Sequence, residues 1–255
     1  MPDTALPANP ARPDAGTALR LTGRRIVVTG AASGIGRRTA ALFAAEGAAV
    51  ALLDRDRRVE NETAREIGGC GYAVDIVDED AVQAAVAEAS QAMGGIDGLV
   101  NAAGVMTVGR VLETTAAQFR RLIEVNLTGT YIVTRACLPW LAAESAATIV
   151  NIASAQGLLP NAPGHTAYAA SKGGVINLSR ALAAELAPAI RVNSICPGMV
   201  DTPMAEDFRG NVGNYALKRL ADADEIARAI LFLTNTDSSY VTGVALAVDG
   251  GRSFH

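Results

Sequence analysis

From about residue 24 onward, short aliphatic runs alternate with longer segments whose apolar residues recur at helical spacing. Few folds accept that rhythm. Apolar runs with no polar alternation suit strands buried on both faces, and the intervening helices supply the cover. The first run, Ile26-Val27-Val28 within 25–29, ends at Gly30, and a helical pattern follows over 34–47. Further strands are expected over 48–54, 71–75, 96–101, 148–153, 191–196 and 244–248. Helices are expected over 56–67, 78–93, 115–144, 167–186 and 222–234, the long one interrupted near Gly129. The fold class implied is α/β, a doubly wound and mainly parallel sheet of about seven strands with helices on both faces. It would form one domain over 21–255. The four prolines between Met1 and Gly16, with no apolar core among them, point to a disordered tail over 1–20.

Composition excludes several classes. Half of the 255 residues are hydrophobic and 19% are charged, which argues against wholesale disorder. A net charge of −4 gives no general grip on nucleic acid, and no apolar run has the length of a membrane span. The odd cysteine count (Cys70, Cys137 and Cys196), without C-x-x-C, argues against a disulfide framework or zinc site. With only His165 and His255, a multi-histidine metal site is excluded and no metal is expected. The expected setting is cytoplasmic. Among 22 basic residues only Lys172 and Lys218 are lysines, so a lysine beside a candidate site is not there through abundance.

The segment Thr29-Gly30-Ala31-Ala32-Ser33-Gly34-Ile35-Gly36 lies where the first strand meets the first helix. Gly30 permits a tight turn, Gly34 lets backbone approach a ligand, and Gly36 allows close packing of helix on strand. The helix N-terminus then offers unpaired N–H groups to a pyrophosphate. Asp54 ends the next strand, 18 residues after Gly36, where a carboxylate can accept both hydroxyl protons of an adenosine ribose. It also repels a 2′-phosphate. Arg37, Arg38, Arg55, Arg57 and Arg58 lie nearby, and a solvated face accounts for them as well as a phosphate does. The reading is a Rossmann-type fold that prefers NAD to NADP.

Tyr168-Ala169-Ala170-Ser171-Lys172 places a phenol and an ammonium on one face of a helix. A phenol near pKa 10 is a poor base at neutral pH, and a fixed cation beside it stabilises phenolate. Such a pair tunes the phenol for proton transfer nearer neutral pH.

With these motifs together, the chain resembles the classical short-chain dehydrogenase/reductase family from about Leu21 to Gly251. The motifs stand in the family's order. The glycine turn comes first, then Asp75, then Asn101-Ala102-Ala103-Gly104, Asn126, Ser154, Tyr168 with Lys172, and Pro197-Gly198 with Thr202. The resemblance implies that Tyr168 is the general acid/base and that Lys172 lowers its pKa and binds the nicotinamide ribose. It implies that Ser154 hydrogen-bonds the substrate oxygen and that Asn126 helps hold a relay water. Asp75 and Ile76 would meet the adenine, and backbone around Asn101 would line the cofactor channel. Pro197, Gly198, Val200 and Thr202 would hold the nicotinamide carboxamide. Ser33 stands where NADP-preferring members commonly carry arginine. Gln156, His165 and Met204 are candidate substrate contacts.

The expected activity is interconversion of a secondary alcohol and a ketone with NAD(H). Alternatives are an NADP-dependent 3-oxoacyl-thioester reductase and a non-catalytic dinucleotide-binding protein. An enoyl reductase would want a wider Tyr-to-Lys separation. Ala153-Ser154-Ala155-Gln156-Gly157 is not the G-x-S-x-G of a serine hydrolase. The chain departs from the common pattern at Ala102 and in the 14-residue spacing from Ser154 to Tyr168, one longer than usual. The irregular stretch 202–217, with Gly210 and Gly213, reads as a short mobile lid, and four residues follow Gly251. The resemblance also implies a homotetramer built on the helices expected over 115–144 and 167–186.

Overall fold

The computed structural model describes residues 19–208 and 212–253. One sheet holds β1 (Arg25–Thr29), β2 (Ala49–Asp54), β3 (Cys70–Ala73), β4 (Gly98–Asn101), β5 (Ala147–Ile152), β6 (Ile190–Pro197) and β7 (Ala245–Val248). Its order is β3-β2-β1-β4-β5-β6-β7, and every neighbouring pair is parallel. The order reverses between β1 and β4, which opens a crevice beyond the carboxyl ends of the strands, where ligands of such sheets bind. The Rossmann-type α/β expectation is met.

Alternate side chains of each strand feed two cores. Ile26, Val28 and Leu52 pack on one face with Phe43 of α1 (Gly34–Ala45) and Ile230 of α8 (Ala223–Thr234). Val27, Leu53 and Ile149 point the other way. They meet Val86 of α3 (Glu79–Met93), Val133 of α5 (Gly129–Leu141) and Leu182 of α7 (Thr166–Leu186). All of these residues but Val86 and Leu182 are fully buried. Each such aliphatic or aromatic side chain contributes roughly 1.5–3 kcal/mol. That explains why the strands lack polar alternation.

Helix ends follow local chemistry. The Asp78 side chain caps α3 by accepting from the Ala81 N–H, and Gly94, at φ 74°, ends it. Thr115 and Gln118 form a reciprocal capping box at α4 (Ala116–Ile123), as Asp222 and Glu225 do at α8.

The structure departs from expectation at three places. The helix expected over 56–67 is a π-turn, Val59–Thr63, followed by the single turn α2 (Ala64–Ile67). There the Glu60 carboxylate turns back to accept the Ala73 N–H of β3. The long helix over 115–144 is interrupted beside Gly129, as expected, by a π-turn at Glu124–Thr128 between α4 and α5. A one-turn helix, α6 (Ala155–Leu158), follows β5 where a loop was expected. Finally, Leu19 and Arg20 of the expected tail are held, since Arg20 pairs with Glu46 through both backbone and side chain. The remainder of that tail, together with Gly210 and His255, lies outside the described residues.

Candidate active site

Thr29 closes β1 by accepting the N–H groups of Ala102 and Ala103 on its hydroxyl, each at 3.1 Å. This ties the loop after β4 to the glycine turn and forms one wall of the crevice. Gly30, at φ 67°, has the Ala103 backbone nitrogen 2.7 Å from where a Cβ would stand. A Cβ on Gly36 would lie 2.2 Å from the Gly30 carbonyl oxygen. Both positions therefore require glycine, and the turn reaches the start of α1 with no acidic residue in that helix's first turn.

The cleft there is lined by Gly30, exposed Ser33, Gly34, Ile35, Gly36 and Asp54. Across from them stand Asp75, Ile76, Ala102, Ala103 and Gly104, with Thr202 and Met204 arching over. Asp54 accepts the Ala32 N–H on one carboxylate oxygen and the Asp56 N–H on the other, both at 3.0 Å. Those bonds aim the carboxylate and leave lone pairs for a further donor. A cradle that side chains would fill, a helix N-terminus and an aimed carboxylate fit a dinucleotide. Four of the five nearby arginines are already matched: Arg37 with Glu66, Arg38 with Asp224, Arg57 with Glu60 and Arg58 with Asp56. Only Arg55 has no carboxylate partner among the described residues. Sequence reading missed Val74, Val125 and Arg121 here. Arg121 approaches Asp75 at 3.6 Å, a contact between α4 and the end of β3 that sequence spacing does not reveal.

The cleft continues past Gly104 and Thr202 into a second compartment of about 200 Å³, lined by Ser154, Tyr168, Lys172, Pro197, Gly198 and Val200. Gln156, His165 and Met204 share its wall. Asn101 does not reach either compartment with its side chain. Its amide donates into the core, to Asn151 at 2.9 Å and Thr134 at 3.1 Å. Met106, Met199, Tyr215 and Arg252 line the second compartment without any advance signal in sequence.

The reactive side chains are held from several elements. Ser154 caps α6, its hydroxyl accepting the Gln156 N–H at 3.1 Å, and it also hydrogen-bonds the Tyr168 phenol. Lys172 is buried and donates to the Ile152 carbonyl at 2.7 Å, with its Nζ 5.9 Å from the centre of the Tyr168 ring. Asn126 is fully buried in the π-turn. Its Oδ1 accepts the Val105 N–H at 2.8 Å, and its Nδ2 donates to the Val105 carbonyl and the Ser171 hydroxyl, each at 2.9 Å. A Cβ on Gly104 would meet Asn126 Oδ1 at 3.2 Å and Lys172 Nζ at 3.4 Å, so both groups lie beside that glycine. The His165 ring meets Tyr168 edge-on at 6.5 Å.

Burial raises the Tyr168 phenol above its ordinary pKa, and the Ser154 hydrogen bond opposes that only in part. Lys172 is itself pushed down to about 8 by burial. The three cysteines are free, and no cluster of metal-ligating side chains occurs among the described residues. Nor is any described helix long and apolar enough to cross a membrane.

The chain is similar to known oxidoreductases. A family model described as enoyl-(acyl carrier protein) reductase matches residues 30–253. The 3-oxoacyl-[acyl-carrier-protein] reductase of Thermotoga maritima is 38% identical over 244 residues, covering 91% of this chain and 99% of its own. The galactitol 2-dehydrogenase (L-tagatose-forming) of Cereibacter sphaeroides is 40% identical over 247 residues, covering 92% and 97%. Among solved structures, the 3-ketoacyl-(acyl-carrier-protein) reductase from Brucella melitensis complexed with NADH superposes with a TM-score of 0.88. It is 38% identical and covers 92% of this chain and 100% of that one.

Proposed function

The chain belongs to the classical short-chain dehydrogenase/reductase family, and from that premise we propose that it interconverts a secondary alcohol and a ketone with NAD(H), Tyr168 acting as general acid/base. Hydride-transfer chemistry on CH–OH groups with a nicotinamide dinucleotide is the class it shares with its relatives. The observation that carries the reading is convergence. Ser154 from the end of β5 and Tyr168 and Lys172 from α7 line one compartment that opens directly onto the glycine-turn cleft.

The bound nicotinamide would accept or supply the hydride, and the protein does the rest. In the reducing direction the raised pKa keeps Tyr168 protonated at neutral pH, which suits a proton donor to the carbonyl oxygen. Ser154 offers a second hydrogen bond to that oxygen as negative charge develops on it. In the oxidising direction Tyr168 takes the hydroxyl proton, and the released proton must leave past Lys172. With a pKa of about 8, Lys172 is mostly charged at neutral pH and steadies the phenolate. Asn126 fixes Val105 and Ser171 on either side of this route and is assigned the relay position opposite Lys172. Gly30, Ser33, Gly34, Ile35 and Gly36 would hold the pyrophosphate, and Asp54 the adenosine ribose. Asp75 and Ile76 would meet the adenine, and Pro197, Gly198, Val200 and Thr202 the carboxamide.

Two observations favour NAD. Asp54 lines the cleft with a carboxylate that would repel a 2′-phosphate, and the arginines around it, Arg55 excepted, are matched to carboxylates of this chain. The Brucella melitensis structure is complexed with NADH. The likeness to acyl-carrier-protein reductases favours a second reading, an NADP-dependent 3-oxoacyl-thioester reductase, against which Asp54 stands. The four-residue Tyr168-to-Lys172 spacing argues against enoyl reduction. The substrate contacts assigned are Gln156, His165 and Met204. The Gln156 side-chain oxygen is buried without a partner and can accept a substrate hydroxyl proton. A homotetramer on α4, α5 and α7 and a single catalytic domain over 21–255 complete the proposal.

The test is initial-rate reduction of NAD and of NADP across secondary alcohols, polyols and hydroxyacyl thioesters. NAD-linked oxidation of a simple secondary alcohol or polyol supports the reading. Turnover confined to NADP and thioesters overturns it in favour of the second.

A further inference from the structure

The substrate-side compartment holds a second buried cation. Arg252 follows β7 and is 6% exposed, yet it lines the same cavity as Ser154 and Tyr168. The turn that brings it there is organised by Asp249. One carboxylate oxygen of Asp249 accepts the N–H groups of Gly251 and Arg252, and the other takes the Ser253 N–H and hydroxyl. Asp249 therefore anchors the turn's backbone and makes no ion pair with the guanidinium. Among the described residues Arg252 pairs with no carboxylate, unlike Arg20, Arg24 and Arg25. Its side-chain hydrogen-bond partners are neutral: Nη2 donates to Asn161 Oδ1 at 2.5 Å, and Nη1 donates to the Leu159 carbonyl at 3.4 Å. A guanidinium has five N–H donors, so most remain available.

The surroundings sharpen the point. Among the described residues no Asp or Glu lines this compartment, although the chain as a whole is acidic at −4. Its charged residues are Lys172 and Arg252, both cations. Burying an unmatched charge is costly, and the cost is relieved when an opposite charge arrives with hydrogen-bonding geometry. A guanidinium held at two of its nitrogens, on a residue that lines the cavity, is suited to a planar or tetrahedral anion.

We propose that Arg252 is a specificity-determining residue that receives an anionic substituent of the substrate, a carboxylate or an acid of similar geometry, while Ser154 and Tyr168 engage the reacting oxygen. This rests on the oxidoreductase reading above and narrows its substrate to small hydroxy or oxo acids. The anion takes no part in the electron balance. The alcohol carbon loses a hydride to NAD and its hydroxyl loses a proton to Tyr168, and the acid stays ionised throughout.

The experiment pairs short secondary alcohols that bear a terminal carboxylate with their methyl esters, and compares kcat/KM with NAD. Wild-type protein should prefer the acid by about ten- to a hundredfold, the range of a charge-assisted hydrogen-bonded pair. Arg252→Gln should abolish that preference by lowering acid turnover while leaving the ester within about threefold. Arg252→Lys should keep part of the preference. Binding of the matched oxo acid and oxo ester to NADH-loaded Tyr168→Phe protein gives the same ratio without turnover. Equal use of acid and ester by wild type overturns the proposal. So does an equal loss for both in Arg252→Gln, which would make Arg252 only a tie to Leu159 and Asn161. If Arg252→Gln does not fold, the wild-type ratio and Arg252→Lys still decide. NAD-linked turnover restricted to neutral alcohols overturns this assignment and leaves the oxidoreductase reading standing, whereas no NAD-linked turnover of any alcohol overturns that reading itself.

Discussion

Replacing Asp54 with alanine should reverse or erase the cofactor preference, and the size of the change follows from what the carboxylate does. Its two oxygens hold the Ala32 and Asp56 N–H groups at 3.0 Å and face the cleft with their remaining lone pairs. For NAD, losing charge-assisted bonds to the ribose hydroxyls removes about 1.5–3 kcal/mol. For NADP, the same change removes a repulsion. At about 5 Å and an effective dielectric near 40, suited to a half-exposed group, each unit of phosphate charge contributes roughly 1.7 kcal/mol. The two effects act in opposite directions on the two cofactors, so the ratio of their affinities should shift by about 3–5 kcal/mol, between about 10² and 10³ or more. Arg55 is then free to meet the 2′-phosphate. NADH and NADPH titrations by fluorescence read the ratio directly. The loss of two backbone contacts in the turn lowers both affinities together and leaves the ratio unaffected. An affinity ratio within threefold of wild type refutes the role given to Asp54.

Two further outcomes follow from the buried ammonium and phenol. A fall in Lys172 from its ordinary 10.5 to about 8 corresponds to roughly 3 kcal/mol of unfavourable burial of the charged form below pH 8. The unfolded chain binds the extra proton between about 8 and 10.5, so this cost is relieved as pH rises through that window. Lys172→Met gives up a charge-assisted bond to the Ile152 carbonyl, worth about 1.5–3 kcal/mol, which offsets most of the relieved burial cost, so Tm at pH 7 should stay within a few degrees of wild type while turnover is abolished. A fall in Tm of about ten degrees or more would contradict that balance. Because Tyr168 must be ionised to act as a base, kcat/KM for alcohol oxidation should climb from pH 6 towards pH 9, while ketone reduction holds near neutrality and declines in alkali. A flat oxidation profile across that range would show a phenol already ionised.

The strands were legible because each lies buried on both faces and so carries an unbroken apolar run. The glycine turn was legible because two of its positions tolerate no Cβ. What escaped depends on contacts distant in sequence. The π-turn at Glu124–Thr128 surrounds Asn126, whose amide is clamped to Val105 21 residues away and to Ser171 45 residues away. Its position could not be read from local periodicity. The one-turn α6 is too short to show any period, and the segment expected as a full helix over 56–67 lacks a sustained apolar stripe. The backbone after Asn101 lines the cleft, and the Asn101 side chain belongs to a core network of Asn151, Thr134 and Ser179. Arg252 looked like part of a four-residue end. Its burial comes from the turn that Asp249 builds, which no spacing rule displays.

The central claim is that Tyr168 moves the proton in an NAD-linked redox reaction. The most direct measurement is turnover and NADH affinity of Tyr168→Phe beside wild type, on whichever secondary alcohol wild type oxidises best. Removing one oxygen atom should cut kcat by about 10³ or more, because the general acid/base is lost. NADH affinity should stay within threefold, because the glycine turn and Asp54 are untouched. A variant that keeps more than a tenth of wild-type kcat would contradict the account, whatever its affinity for NADH.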